Sequence, residues 1–310
     1  MPLAPKFDAD SLISWKLQAF NEFMEVAFFT QLISNITNRV PGYELDAESE
    51  GYILDTLNAI QAQEEMHAYN ANDAVRNFAN GSHIFPCTYV FPVSDFLSAI
   101  SFAQTFTDLY IGLLTNIQTR TARSLGADSS PIVYVLAQAL GQEAQQSGWF
   151  RSVQGKHPSS QPFLTSSTRE LVFSWLQRVI VPGSCPNMGD IPLQIFPTVD
   201  VKDLNVGTGS VTLLVPGPVD AISQSVAFIN GALVPTVVPF NVTDISGCDL
   251  ADASGCGQKV VTSIIAEFPY AHNVMHGMTI ATIVRKGLTF VNAEEVTNAT
   301  IYGPAIIEVQ

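Results

Sequence analysis

From Leu12 to Ile33 apolar residues recur so densely (Leu12, Leu17, Phe20, Phe23, Met24, Val26, Phe28, Phe29, Leu32 and Ile33 among them) that on a helix they run almost all the way round. A helix that is apolar on every side is a buried one. Asp10 or Ser11 can cap its start, and the pattern carries it to about Ile36. A second, more polar helix is predicted from Asp46 to the Asn80-Gly81 stop. A third is predicted from a Ser94 cap to about Arg123. A fourth has Ser130 as cap, Pro131 at its first position and an end near Phe150. The box Ser167-x-x-Glu170 starts a fifth, which stops before Pro182-Gly183. The Pro-containing stretch from Ser82 to Val93 is too long for a tight turn and suits a crossover along a bundle.

Beyond about Pro192 the period shortens. Alternating, β-branched runs at 211–215, 225–228, 234–240, 259–268, 278–284 and 305–309 are separated by Gly, Pro and Asn, with Asn230-Gly231 as a turn. The expected fold is α+β: a bundle of four to five helices over residues 8–190, then an antiparallel β-sandwich-like domain over 191–310.

Charge changes the picture mainly by its scarcity. Only 14% of residues are charged, the formal net charge is −14, and Lys and Arg form no cluster, which argues against nucleic acid as a partner. No apolar run reaches the ~20 residues of a membrane span, so none is expected. Cys87, Cys185, Cys248 and Cys256 have no Cys-x-x-Cys spacing, so a zinc or redox motif is not expected. Cys248 and Cys256 bracket a short loop and are the expected disulfide, while Cys87 and Cys185 lie in Pro-flanked loops. An even cysteine count in loops, with Asn-x-Ser/Thr sequons at Asn35, Asn80, Asn241 and Asn298, points to a secreted glycoprotein. Secretion would imply a leader already removed, and a cytoplasmic location is the alternative.

Against so few charges, certain carboxylates stand out. Glu22 and Glu25 are the only charges between Leu17 and Asn38, Asp108 the only one between Phe96 and Thr119, and Glu143 the only one between Ser130 and Phe150. Glu64 and His67, three apart on the second helix, share a face and can turn to one point. A buried carboxylate needs a partner, a metal or a task. His272 and His276 are four apart; on a strand that is about 13 Å, too far for one metal, so a structural role is expected. There is no Gly-x-Ser-x-Gly elbow, P-loop or dinucleotide glycine run.

The stretch Asn21-Glu22-Phe23-Met24-Glu25-Val26-Ala27-Phe28-Phe29, with Glu64-x-x-His67, Phe102 to Asp108, Glu143-x-x-Gln146 and Gly303-Pro304-Ala305-Ile306-Ile307, resembles fungal ferritin-like proteins of the late-sexual-development, Rds1-like group. Ferritin-like di-iron proteins draw a Glu from each of two helices and Glu-x-x-His from each of the other two. The resemblance assigns Glu22, Glu64, His67 and Glu143 to that pattern. Thr107 stands in place of the third helix's Glu, Gln146 in place of the fourth helix's His, and Phe29 in place of a Tyr. A degenerate motif of this kind implies no di-iron centre, and at most one Fe on Glu22, Glu64, His67 and Glu143.

Without metal, the same site becomes a pocket lined by Glu25, Phe20, Phe23, Met24, Phe106, Thr107, Tyr110, Gln146 and Trp149. The primary expectation is a cofactor-independent cyclase or isomerase of secondary metabolism. In it Glu64 and His67 lead, with Glu22 and Glu143, in proton transfer to a hydrophobic small molecule. A mononuclear non-haem metal oxidoreductase and a non-enzymatic secreted developmental or stress protein are the alternatives.

Overall fold

Asp8, not Asp10 or Ser11, caps the first helix: its carboxylate accepts from Ser11 N at 2.7 Å. Either serine or aspartate one turn later would have served the local pattern, but Asp10 is engaged elsewhere, in a two-point pairing with Arg120. In the computed structural model, which describes residues 7–246, 260–273 and 275–309, helix α1 spans Ala9–Thr37 and α2 spans Glu50–Phe78. Beyond α2, Asn80 and Gly81 both take positive φ (51° and 86°), as the expected stop requires.

Helix α3 is Phe96–Leu125. Its cap is Asp95 rather than Ser94, in a reciprocal box with Ser98. A 3₁₀ turn at Gly126–Ser129 leads into α4, Ser130–Val153, with Pro131 in its first turn. Helix α5 is shorter than expected, Arg169–Leu176, and Thr168 rather than Ser167 faces its free amides, accepting from Leu171 N at 3.4 Å. The crossover between α2 and α3 is tied down by Asn72, whose amide bonds both Ile84 N (2.8 Å) and Ile84 O (2.9 Å). It is also tied by a disulfide, Cys87–Cys185, with the Cα atoms 4.4 Å apart. The expected Cys248–Cys256 pair lies outside the described residues.

The chain divides into two compact units, the first holding residues up to Thr107, Leu114–Pro158 and Leu176–Leu193, the second Asp108–Leu113, Ser159–Trp175 and everything from Gln194 on. In the first unit an aromatic lattice runs through the bundle. Phe28 meets Phe29, Phe91 and Phe106 edge-on with ring centroids 5.1–5.4 Å apart. An 18-residue window within Phe96–Val153 is apolar enough to cross a membrane, yet 72% of it is buried in the fold, as a core helix would be.

The second unit holds two four-stranded antiparallel sheets. One is ordered β1 (Asp200–Asn205), β2 (Ser210–Val215), β6 (Val261–Glu267), β5 (Phe240–Ser246). The other is ordered β4 (Thr236–Val238), β3 (Gln224–Asn230), β7 (Gly277–Arg285), β8 (Thr300–Val309). Val211, Leu213, Val215 and Ile264 of one sheet meet Val226, Phe228, Ile283 and Ile307 of the other in a single core. The run expected as one strand, 234–240, is two, and β1 carries too little burial to announce itself by alternation. Among its described residues the unit also has a short helix α6 (Tyr270–Asn273) and helix α7 (Ala293–Ala299).

Strands β3 and β7 are buried along nearly their whole length. The 159–175 segment accounts for part of this. Thr165 Oγ1 donates to Met278 O (2.5 Å) and accepts from Gly231 N (2.8 Å). Gly112 of α3 comes so close to the same segment that a Cβ there would sit 2.5 Å from Thr165 O.

Candidate metal centre

Three helices of the first unit each present a pair of polar residues at i, i+3: Glu22 and Glu25 on α1, Glu64 and His67 on α2, Glu143 and Gln146 on α4. The spacing puts both members of a pair on one helix face. The four carboxylates are at most 1% exposed. Residues at neighbouring positions on the same turns (Phe20, Met24, Phe28 and Phe29 on α1) are apolar and equally buried, so the carboxylates share the core with aromatic and aliphatic groups.

His67 sits at the centre. Its Nδ1 is 3.0 Å from Glu64 Oε2, 3.2 Å from Glu143 Oε1 and 3.7 Å from Glu22 Oε2. Gln146 donates its amide to Glu64 Oε1, and to Gln63 Oε1 at 3.3 Å; Gln142 also donates to Gln63 Oε1, at 2.8 Å. Asn21 donates to Glu25 Oε1 at 2.6 Å. Two oxygens deep in the cluster, Glu25 Oε2 and Glu143 Oε2, have no hydrogen-bond donor among the described residues, and Glu143 Oε1 has the His67 ion-pair contact but no hydrogen bond. An ionised oxygen without a donor in such a place is costly, so this arrangement calls for protons or cations.

The electrostatics agree. Burial pushes Glu22 well above the ordinary carboxylate range; the His67 charge pulls it down, and Glu25, Glu64 and Glu143 push it further up. Burial, then Glu143 and Glu64, raise Glu25, and burial with Glu64 raises Glu143. Burial alone would lower His67, but the Glu22 charge and the Glu64 bond outweigh it and hold the imidazole up at about 9.

The geometry offers two cation positions. Glu22, Glu64 and His67 each offer a ligand atom, all within 4.8 Å of one another, and so do Glu25, Glu64 and Glu143. Four of the expected site residues, Glu22, Glu64, His67 and Glu143, are therefore brought together, and Gln146 joins them. Glu25, expected only as pocket lining, belongs to the cluster itself; its i, i+3 spacing from Glu22 was the available signal. Gln63 was not anticipated, since a Gln beside the Glu-x-x-His pattern carries no signature of its own.

The expected aromatic pocket is not what these residues form. Phe20, Met24 and Phe106 are packed core, at 0–1% exposure, and the buried Tyr110 falls in the second unit. Trp149 is half-buried, its indole N–H donating to Tyr52 Oη at 3.2 Å. Thr107 is fully buried, with no partner for its hydroxyl among the described residues. A cavity of about 390 Å³ does open on α1 and α2, lined by Phe23, Val26, Glu65, Ala68, Tyr69 and others, but none of the cluster's carboxylates lines it. The reason is helical phase: one residue is about 100° of rotation, so Phe23 and Val26 face elsewhere than Glu22 and Glu25. His276 bonds Tyr270 Oη at 3.2 Å and no metal group forms there among the described residues.

Residues 17–156 match a family model described as a ferritin-like domain, a segment that contains α2, α3, α4, most of α1 and every residue of the cluster. Comparison with curated proteins gave no match.

Proposed function

We propose that the ferritin-like segment 17–156 is a metal-dependent oxidoreductase whose ion is held by Glu22, Glu64 and His67, with Glu143 beside them. The observation that carries this reading is the set of four carboxylates at 0–1% exposure in an apolar bundle, among them Glu25 Oε2 and Glu143 Oε2, which no hydrogen bond reaches among the described residues. Glutamate carboxylates with an imidazole at Glu-x-x-His spacing are the donor types that ferritin-like iron proteins use. Bound iron there would supply one-electron and dioxygen chemistry.

The chain's own residues supply the rest. Gln146 and His67 fix the two oxygens of Glu64 by hydrogen bonds, the outer support that keeps a ligating carboxylate in one orientation. His67, with 19% of its side chain exposed against 0–2% for Glu22, Glu64 and Glu143, marks the side from which solvent or substrate approaches. The surrounding phenylalanines exclude water elsewhere.

A second reading, a cofactor-independent cyclase or isomerase acting on a hydrophobic small molecule, is favoured by the raised proton affinity of Glu22, Glu25 and Glu143. A neutral carboxyl beside His67 could donate a proton to a substrate carbonyl and recover it after rearrangement. The two readings separate on the metal content of protein purified without a polyhistidine tag or chelator, measured by mass spectrometry. One or two transition-metal ions per chain, lost in Glu64→Gln and His67→Ala, support the first. Metal-free protein with undiminished turnover supports the second and overturns the first. Secretion is proposed on the Cys87–Cys185 bond and on the exposed sequon residues Asn80, Asn241 and Asn298.

A further inference from the structure

Away from the carboxylate cluster, the cavity of about 390 Å³ on α1 and α2 takes its walls from three segments of the first unit. Helix α2 supplies one stripe, Glu65, Ala68, Tyr69, Asn72, Asp73 and Arg76, at i, i+3, i+4, i+7, i+8 and i+11. Helix α1 supplies Phe23 and Val26, and the crossover supplies His83. Asn72 bonds both backbone groups of Ile84, the residue after His83, so the third wall is held in place. We propose that this cavity binds a small amphiphilic ammonium compound, with its apolar body on Phe23, Val26, Ala68 and Tyr69 and its charged head at Glu65. The site is separate from the metal centre, and the inference does not rest on the metal reading.

Size and lining give the first support. The volume lies in the range of small-molecule sites, about 300–1,000 Å³, and apolar walls with a few polar groups are their usual make-up. Two of those walls are aromatic, and an aromatic ring attracts a cation as well as an apolar body. Charge gives the second and decides the sign of the head group. Asp73 forms an ion pair with Arg76 and also accepts from the Asn77 amide at 3.1 Å, so these two charges cancel. Glu65 accepts from the Gln61 amide at 3.1 Å and has no ion pair among the described residues. With a neutral His83, the walls therefore carry one uncompensated negative charge, located at Glu65. The formal charge of −14 on the chain adds a long-range bias against anionic ligands. A primary ammonium, with three donors and one positive charge, answers both the carboxylate and the bias.

The test compares three probes of one shape and different charge: 2-phenylethylamine, 2-phenylethanol and 3-phenylpropionate. Each is titrated by calorimetry and saturation-transfer NMR into full-length protein treated with chelator, which removes any metal an amine could ligate. Wild type binds the amine with a Kd on the order of 1 mM and holds the carboxylate at least about tenfold more weakly. Glu65→Gln, at an exposed position, loses about tenfold for the amine and leaves the alcohol within about twofold. Tyr69→Ala, also at an exposed position, weakens all three probes by about fivefold. Circular dichroism checks that both variants fold. No binding of the amine, a carboxylate held as tightly as the amine, or amine binding that either folded variant leaves unchanged would each overturn the site. None of these outcomes bears on the metal content of the cluster, which is measured on protein never exposed to chelator.

Discussion

Replacing Glu64 by Gln changes one charge and almost no volume at the residue both cation positions share. In metal-free protein two effects oppose. The buried Oε2 loses its charge-assisted contact to His67 at 3.0 Å, and the Gln146 amide must share its acceptor with a new amide, a loss of about 1–3 kcal/mol. Against this, repulsion from Glu64 helps raise Glu22, Glu25 and Glu143, and each unit of relief returns about 1.4 kcal/mol. The net change in the metal-free form is therefore near zero, within about 2 kcal/mol. With metal the balance is different. An ion at a hundred times its Kd stabilises by about 2.7 kcal/mol. At about 2–4 °C per kcal/mol for a domain of this size, wild type should gain roughly 5–11 °C in Tm on metal addition. Glu64→Gln should gain little or nothing. Scanning calorimetry of chelated and metal-loaded protein, wild type and variant side by side, measures both differences. A variant that keeps the wild-type gain, or whose metal-free Tm drops by more than about 10 °C, refutes the reasoning.

Three further outcomes follow from the same structure. In chelator-treated protein Tm should fall as pH rises from about 5 to 9: Glu22, Glu25 and Glu143 bind protons more tightly folded than unfolded, so their contribution is complete below the ordinary carboxylate range and is lost above it. His67, held at about 9, loses its share between its unfolded value of about 6.5 and that pH, and a Tm that rises over the range contradicts the assignment. Replacing Cys87 and Cys185 together by Ser opens a loop of 98 residues and should cost about 2–4 kcal/mol in urea melts, with unchanged stability as the contrary result. Gly112→Ala should destabilise by at least about 1–3 kcal/mol, because its Cβ meets backbone at 2.5 Å and 2.7 Å. Gly141→Ala, which meets nothing within 4 Å on the exposed face of α4, should be stabilising by about 0.5–1 kcal/mol, and equal effects at the two sites would contradict the packing described.

The sequence alone determined the elements and their class, because local periodicity and turn chemistry are properties of neighbouring residues. The all-round apolar pattern of α1, Pro131 at the start of α4, the stop at Asn80-Gly81 and the alternation of β2 were all legible before any contact was known. So was the scarcity of charge that singled out Glu22, Glu64, His67 and Glu143. Choice between equivalent neighbours was not legible. Asp8 caps α1 because Asp10 is drawn to Arg120, 110 residues away, and Asp95 rather than Ser94 caps α3 because Ser98 answers it. The pairing of Cys87 with Cys185 likewise depends on two loops brought together from 98 residues apart.

At the candidate site the sequence could count carboxylates but not aim them. That Glu25 points to Glu64 and Glu143, that Gln146 grips Glu64, and that the expected aromatic walls are solid core while the cavity lies on another face all depend on helix phase and on three helices meeting at one level. Periodicity fixes which residues share a face, but only the packing of one helix against another decides what that face meets.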